Sequence, residues 1–113
     1  MNATGLTVKA SDIRQVTQDD PDPDTSYLDQ DDFEELKAAY ERGAFSYVGL
    51  WAEVEVWAPI GGGTSVRQVV RSGGLWGIEY RGAEDDGYLA EVFKEERAQL
   101  VTILEAMGME VSE

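Results

Sequence analysis

The sequence predicts an α+β domain: a three- or four-stranded antiparallel sheet with a C-terminal helix packed on one face and a short helix near residues 31–43. Three observations carry that expectation. Hydrophobic periodicity changes from helical to twofold at Ser46, two glycine runs punctuate the twofold region, and the longest helical stripe in the chain follows it. At 113 residues the chain suits a single domain, residues 1–113, able to bury roughly two thirds of its unfolded surface.

Residues 6–17, LTVKASDIRQVT, mix β-branched and polar residues and read as a first strand of imperfect alternation. Between about 18 and 30 the chain reads as an extended acidic segment, because the prolines of DDPDPDT remove donors and turn their preceding residues away from helix. In the helix that follows, Asp32 and Glu35 have capping-box spacing, Phe33, Leu36 and Tyr40 fall on one face, and Gly43 is placed to end it.

From Gly49 to Ala58 the residues alternate. Leu50, Ala52, Val54 and Val56 make a core face, and Trp51, Glu53, Glu55 and Trp57 the opposite one. Gly61, Gly62 and Gly63 supply a turn into Thr64–Ser72, with Val66 and Val70 inward and Arg67 and Arg71 outward. Placing residue 60 opposite 64 sets Glu53 against Arg71 and Trp57 against Arg67, an ion pair and a cation–π pair of about 0.5–1 kcal/mol each. Gly73 and Gly74 then turn the chain into Leu75–Arg81, with Trp76, Ile78 and Tyr80 on one side, completing an expected three-stranded meander. Glu84, Asp85 and Asp86 put negative charge at the start of a helix over about 86–107. Its stripe is Leu89, Val92, Phe93, Leu100, Ile103, Leu104 and Met107, and Gly108 suits its C-terminal cap.

Composition narrows the chemistry. The chain has no cysteine and no histidine, so it lacks a thiol nucleophile, an imidazole base and the usual nitrogen and sulfur ligands of zinc or iron. No cofactor is expected. Acids outnumber bases 23 to 9, for a net charge of −14, but 42% hydrophobic content is too high for a wholly disordered acidic chain. No apolar run approaches the ~20 residues of a membrane span, and the N-terminus lacks a basic stretch followed by an apolar one, so a cytoplasmic protein without membrane contact is expected. The charge is concentrated: −9 over residues 19–35, −7 over 84–113, and +1 in each of the remaining blocks, 1–18 and 36–83.

Asp22–Leu28, DPDTSYL, and Ser72–Glu79, SGGLWGIE, followed by an acidic patch and a helix ending in AMGM, together resemble a group of small, acidic, largely uncharacterised proteins of bacteriophages, plasmids and other mobile elements. The resemblance covers most of residues 20–108. It implies no catalytic motif, and it implies a genomic context in which a protein acts on the machinery of a bacterial host, in the host cytoplasm.

On that ground the leading expectation is a non-enzymatic nucleic-acid mimic, an anti-CRISPR or anti-restriction inhibitor whose carboxylates occupy the basic groove of a host defence protein. The carboxylates in question are Asp31, Asp32, Glu34, Glu35 and Glu41 around the first helix, and Asp85, Asp86, Glu91, Glu95, Glu96 and Glu105 around the second. Such a protein does not itself bind nucleic acid. A solvated surface serving solubility is the plain alternative for the same residues. A second functional expectation is a protein-docking or dimer surface on the sheet face bearing Trp51, Trp57, Arg67 and Arg71, since Trp and Arg are enriched at binding hot spots.

Three weaker patterns complete the survey. Asp20, Asp22 and Asp24, with Asp31 further on, have alternating oxygen ligands like a calcium loop, but Thr25 stands where the sharp turn needs glycine, and no metal is expected. Glu53 and Glu55 lie about 7 Å apart on one strand face, within the range of an inverting glycosidase, yet an arginine opposite lowers rather than raises a carboxyl pKa. Neither glycine run opens a helix or matches a phosphate-binding motif, so both read as strand turns.

Overall fold

The computed structural model describes residues 6–113. Its strands are β1 (Thr7–Lys9), β2 (Arg14–Asp19), β3 (Ser46–Gly61), β4 (Thr64–Arg71), β5 (Leu75–Tyr80) and β6 (Glu110–Ser112). The helices are α1 (Glu34–Glu41) and α2 (Asp86–Ala106), with 3₁₀ turns at Ala10–Asp12, Ser26–Asp29, Asp31–Phe33 and Ala83–Asp85. The architecture is the expected α+β one: a four-stranded antiparallel sheet, the C-terminal helix packed on it, and a short helix nearby.

The 16-residue β3 organises the sheet. β2 pairs with one of its edges, while β4 and β5 share the other. β4 takes the distal stretch from Glu53 to Gly61, and β5 the proximal stretch from Ser46 to Leu50, so the two lie end to end in one row. The expected meander is corrected here. Ser72, Gly73 and Gly74 do not reverse the chain: the Ser72 amide still donates to the Ala52 carbonyl, and the chain kinks and runs on along β3. That course satisfies backbone groups on the proximal half of β3, which a meander leaves bare.

The expected first strand, 6–17, is divided by the 3₁₀ turn at Ala10–Asp12. β1 leaves the main sheet and pairs in parallel with β6, a strand without a signal in the sequence. The break lets Val8, Ala10 and Ile13 all point inward, which an unbroken twofold strand cannot do. In the acidic segment, β2 runs through Asp19 and a 3₁₀ turn occupies Ser26–Asp29.

Alternation along β3 sends Val48, Leu50, Ala52, Val54 and Val56 to the α2 face, where they meet Leu89, Val92, Leu100 and Leu104. Met107, expected in that stripe, is 47% exposed because it follows the last helical residue. Both helices end in Schellman geometry. Ala44 donates to Ala39 and Met109 to Leu104, with Gly43 and Gly108 at positive φ. The capping box at Asp32 and Glu35 does not form: Asp32 lies within a 3₁₀ turn, and Phe33, whose ring packs edge-on against Tyr27, stands at the helix entrance without a side-chain cap.

The relative lengths of β3 and α2 determine the shape. A 16-residue strand spans about 53 Å and a 21-residue helix about 31 Å, so the distal hairpin of β3 and β4 extends past the helix as an arm. The molecule measures 61 × 25 × 22 Å with a radius of gyration of 18.5 Å, against about 13 Å for a compact domain of this length.

Candidate functional site

The two acidic blocks lie on opposite faces of the sheet. α2 covers the even-numbered side chains of β3. The segment through α1 packs on the opposite face only at the start of β3, where Tyr40 meets Phe45 and Tyr47. Asp31, Asp32, Glu34, Glu35 and Glu41 on one layer, and Asp86, Glu91, Glu95 and Glu105 on the other, are all exposed. None of the nine is within ion-pair distance of a cation among the described residues. Asp86 accepts the Tyr80 hydroxyl, and the half-buried Asp85 accepts the Arg81 amide and pairs with its guanidinium.

Glu96 stands apart from this surface. It is buried, and its Oε1 accepts the Ser72 hydroxyl and the Gly74 amide, each at 2.7 Å. Ser72 in turn accepts the Ala52 amide at 3.0 Å, and Gln99 accepts the Gly73 amide. Glu96 therefore clamps α2 to the kink between β4 and β5, and it is not available to a partner. Its neighbours Glu91 and Glu95 resemble it in sequence, and only the long-range contact separates the three.

The Trp-bearing sheet face is also rearranged. The hairpin register matches the expectation, Glu53 opposite Arg71 and Trp57 opposite Arg67, with a bulge at Ile60 before the turn. The side chains pair diagonally instead. Arg71 lies 5.3 Å over the Trp51 ring, and Arg67 pairs with Glu55, both displaced by two residues in the same sense. The right-handed twist of a sheet favours one diagonal over direct opposition. Glu53 is left to Arg14 of β2, whose guanidinium holds its carboxyl below the usual range; Arg67 does the same to Glu55. Both are thus kept ionised, contrary to what a general acid requires.

Trp51 is buried, covered by Arg71 and by Trp76, whose ring centre lies 5.6 Å away. Trp76 was expected to share a side with Ile78. A register shift opposite Gly49, with Gly77 at φ 73°, turns Trp76 onto the other face and lays its ring directly over the Gly49 Cα. Of the two expected docking tryptophans, only Trp57 is open, at 59%.

A groove of about 630 Å³ runs beside β5, lined by Leu75, Trp76, Glu79, Arg81 and Tyr88. Its three charged residues pair with one another, Arg81 bridging Glu79 and Asp85, which leaves one net negative charge. At its back the Tyr27 hydroxyl donates to Glu79 and accepts from Tyr47; desolvation first, then these two partners, push its pKa well up. Tyr27 and Glu79 were not foreseen as partners, since 52 residues separate them.

Asp20, Asp22 and Asp24 do not converge. Asp20 accepts the amides of Asp22 and Gly77, Asp24 accepts from Ser26, and no group of three or more acidic side chains among the described residues is arranged to hold a metal ion. No described helix is long and apolar enough to cross a membrane. Comparison with protein-family models, curated proteins and solved structures finds no match to the chain.

Proposed function

We propose that the protein is a non-enzymatic acidic inhibitor that occupies the basic, nucleic-acid-binding groove of another protein, without cofactor or metal. The observation that carries this reading is the contrast between its surfaces. Carboxylates on the sheet face are matched by arginines, whereas nine on the two helical layers stand exposed with no ion-pair partner among the described residues. Against those nine the two helices carry two lysines, Lys37, which pairs with Asp29, and Lys94. A body 25 × 22 Å in section, acidic on both faces, offers a basic cleft charge from two sides, as a duplex does. The resemblance to small acidic proteins of mobile elements supports a CRISPR- or restriction-type host defence protein as partner, met in the bacterial cytoplasm.

Affinity capture from bacterial lysate at low and high salt tests the proposal. Retained proteins should be displaced by duplex DNA or guide RNA, and raising salt severalfold should weaken retention roughly tenfold or more. A variant with Asp31, Asp32, Glu34, Glu35, Glu91 and Glu95 changed to their amides should lose the partner. Capture that is indifferent to salt, to nucleic acid and to those six changes overturns the reading.

A further inference from the structure

Past Val56, the last β3 residue buried against α2, the arm formed by the ends of β3 and β4 has no buried residue on either face. Beyond Glu53, β3 has no strand on its second edge, and β4 has none on its outer edge, among the described residues. Trp57 is 59% exposed, Ile60 65% and Val69 44%. An isolated two-stranded ribbon is marginal in water, and bare strand edges with apolar side chains are templates for pairing. Pro59 and the bulge at Ile60 guard the bare edge of β3, whereas β4 is unbroken and carries neither lysine nor proline.

Charge indicates what covers it. From Val56 to Ile78 the chain has no carboxylate, although acids make up 23 of 113 residues. Two copies of a chain with net charge −14 repel wherever their acidic layers approach. The arm is a long surface on which they can meet without that cost. Arm-to-arm contact also leaves the bodies at opposite ends of an elongated pair, separated by more than the Debye length of about 8 Å at physiological salt. Antiparallel edges are self-complementary about a twofold axis, so one patch serves both copies.

We infer that the β3–β4 arm is a self-association element, through which a second copy of this chain adds to the bare edge of β4 and covers Trp57 and Val69. This goes beyond the inhibitory reading and is independent of it. The dimer presents two acidic bodies, one at each end.

Sedimentation equilibrium over a concentration series up to about 100 μM tests the inference. The wild-type chain should reach dimer mass, and more readily as salt screens the bodies. A double variant, Trp57→Gln with Val69→Thr, should raise the dissociation constant at least tenfold while leaving the far-ultraviolet circular dichroism unchanged. A nitroxide at Ser65 should report a short distance between copies and one at Glu95 should not, which checks the geometry without altering the apolar residues. A wild-type chain that stays monomeric throughout the series overturns the inference. So does a dimer with its short label distance at Glu95. Both arm substitutions leave the acidic layers intact, so salt-sensitive partner capture succeeds or fails separately.

Discussion

Glu91, Glu95 and Glu96 show how little a residue's type says about its task. All three lie on α2, but Glu96 alone holds a hydroxyl and an amide at the β4–β5 kink. Removing it strands the Ser72 hydroxyl and the Gly74 amide away from water, at a cost of about 1–3 kcal/mol. Glu96→Ala should therefore lower the urea midpoint clearly, whereas Glu91→Ala and Glu95→Ala should each stay within about 0.5 kcal/mol of the wild type. Equal effects for all three would dismiss the clamp. Gly49 is a second position of this kind. A Cβ there would sit 2.2 Å from Trp76 Cε3, so Gly49→Ala must displace the indole or the strand and should destabilise by about 1–3 kcal/mol. Near-ultraviolet circular dichroism should register the displaced tryptophan. The periodicity of residues 49–58 foretold which β3 side chains face the core, and it had no means of foretelling that Trp76 would lie over Gly49.

Among the elements, the acidic segment and α1 depend on aromatic packing to stay on the sheet. Tyr27 meets Phe33 at 5.3 Å between ring centres, Tyr40 meets Tyr47 at 5.1 Å, and the Tyr27 hydroxyl reaches both Tyr47 and Glu79. This attachment has a pH signature. Because the folded pKa of Tyr27 is raised above its unfolded value, its contribution is complete below about pH 10 and declines as pH rises beyond it, where the unfolded tyrosine ionises first. Thermal melts should fall more steeply above pH 10 for the wild type than for Tyr27→Phe. Parallel curves would detach Tyr27 from the effect. The carboxylates respond in the opposite range. Glu53 and Glu55 have depressed folded pKa values, so their share of stability is present above the ordinary carboxylate range and is lost as acid carries the pH below it. Hairpin register was legible in the sequence because the glycine turn and the period-two pattern constrain it together. The place of β5 was not, because local pattern gives a strand's faces and leaves its neighbour undetermined.

For the whole molecule, charge and shape act together. A net charge of −14 on an elongated chain destabilises the folded state by self-repulsion, and the unpaired carboxylates of the two helical layers are its main source. Salt should therefore stabilise: the melting temperature at pH 7 should rise by several degrees between about 20 mM and 500 mM sodium chloride, where the Debye length shrinks from about 20 Å to 4 Å. A melting temperature that falls with salt would mean that the arginine pairs of the sheet face outweigh the repulsion. The amide variant of the six carboxylates should melt higher than the wild type at low salt, the sign expected of residues kept for binding at a cost in stability.

Sequence alone determined the α+β class, the register of the central hairpin, the extent of α2, the glycine caps of both helices, and the separation of the acid into two blocks. Each of these rests on local physics: periodicity, backbone freedom at glycine, and charge counted along the chain. Tertiary structure decided that the two blocks occupy opposite faces of the sheet, that Glu96 is withdrawn from the acidic surface, and that Trp51 is buried while Trp57 projects. It also decided that β5 continues the row of β4. Those outcomes depend on which hydrogen-bonding edge of β3 remained unsatisfied and on how far a strand rising about 3.3 Å per residue outruns a helix rising about 1.5 Å, and neither has a local mark in the sequence.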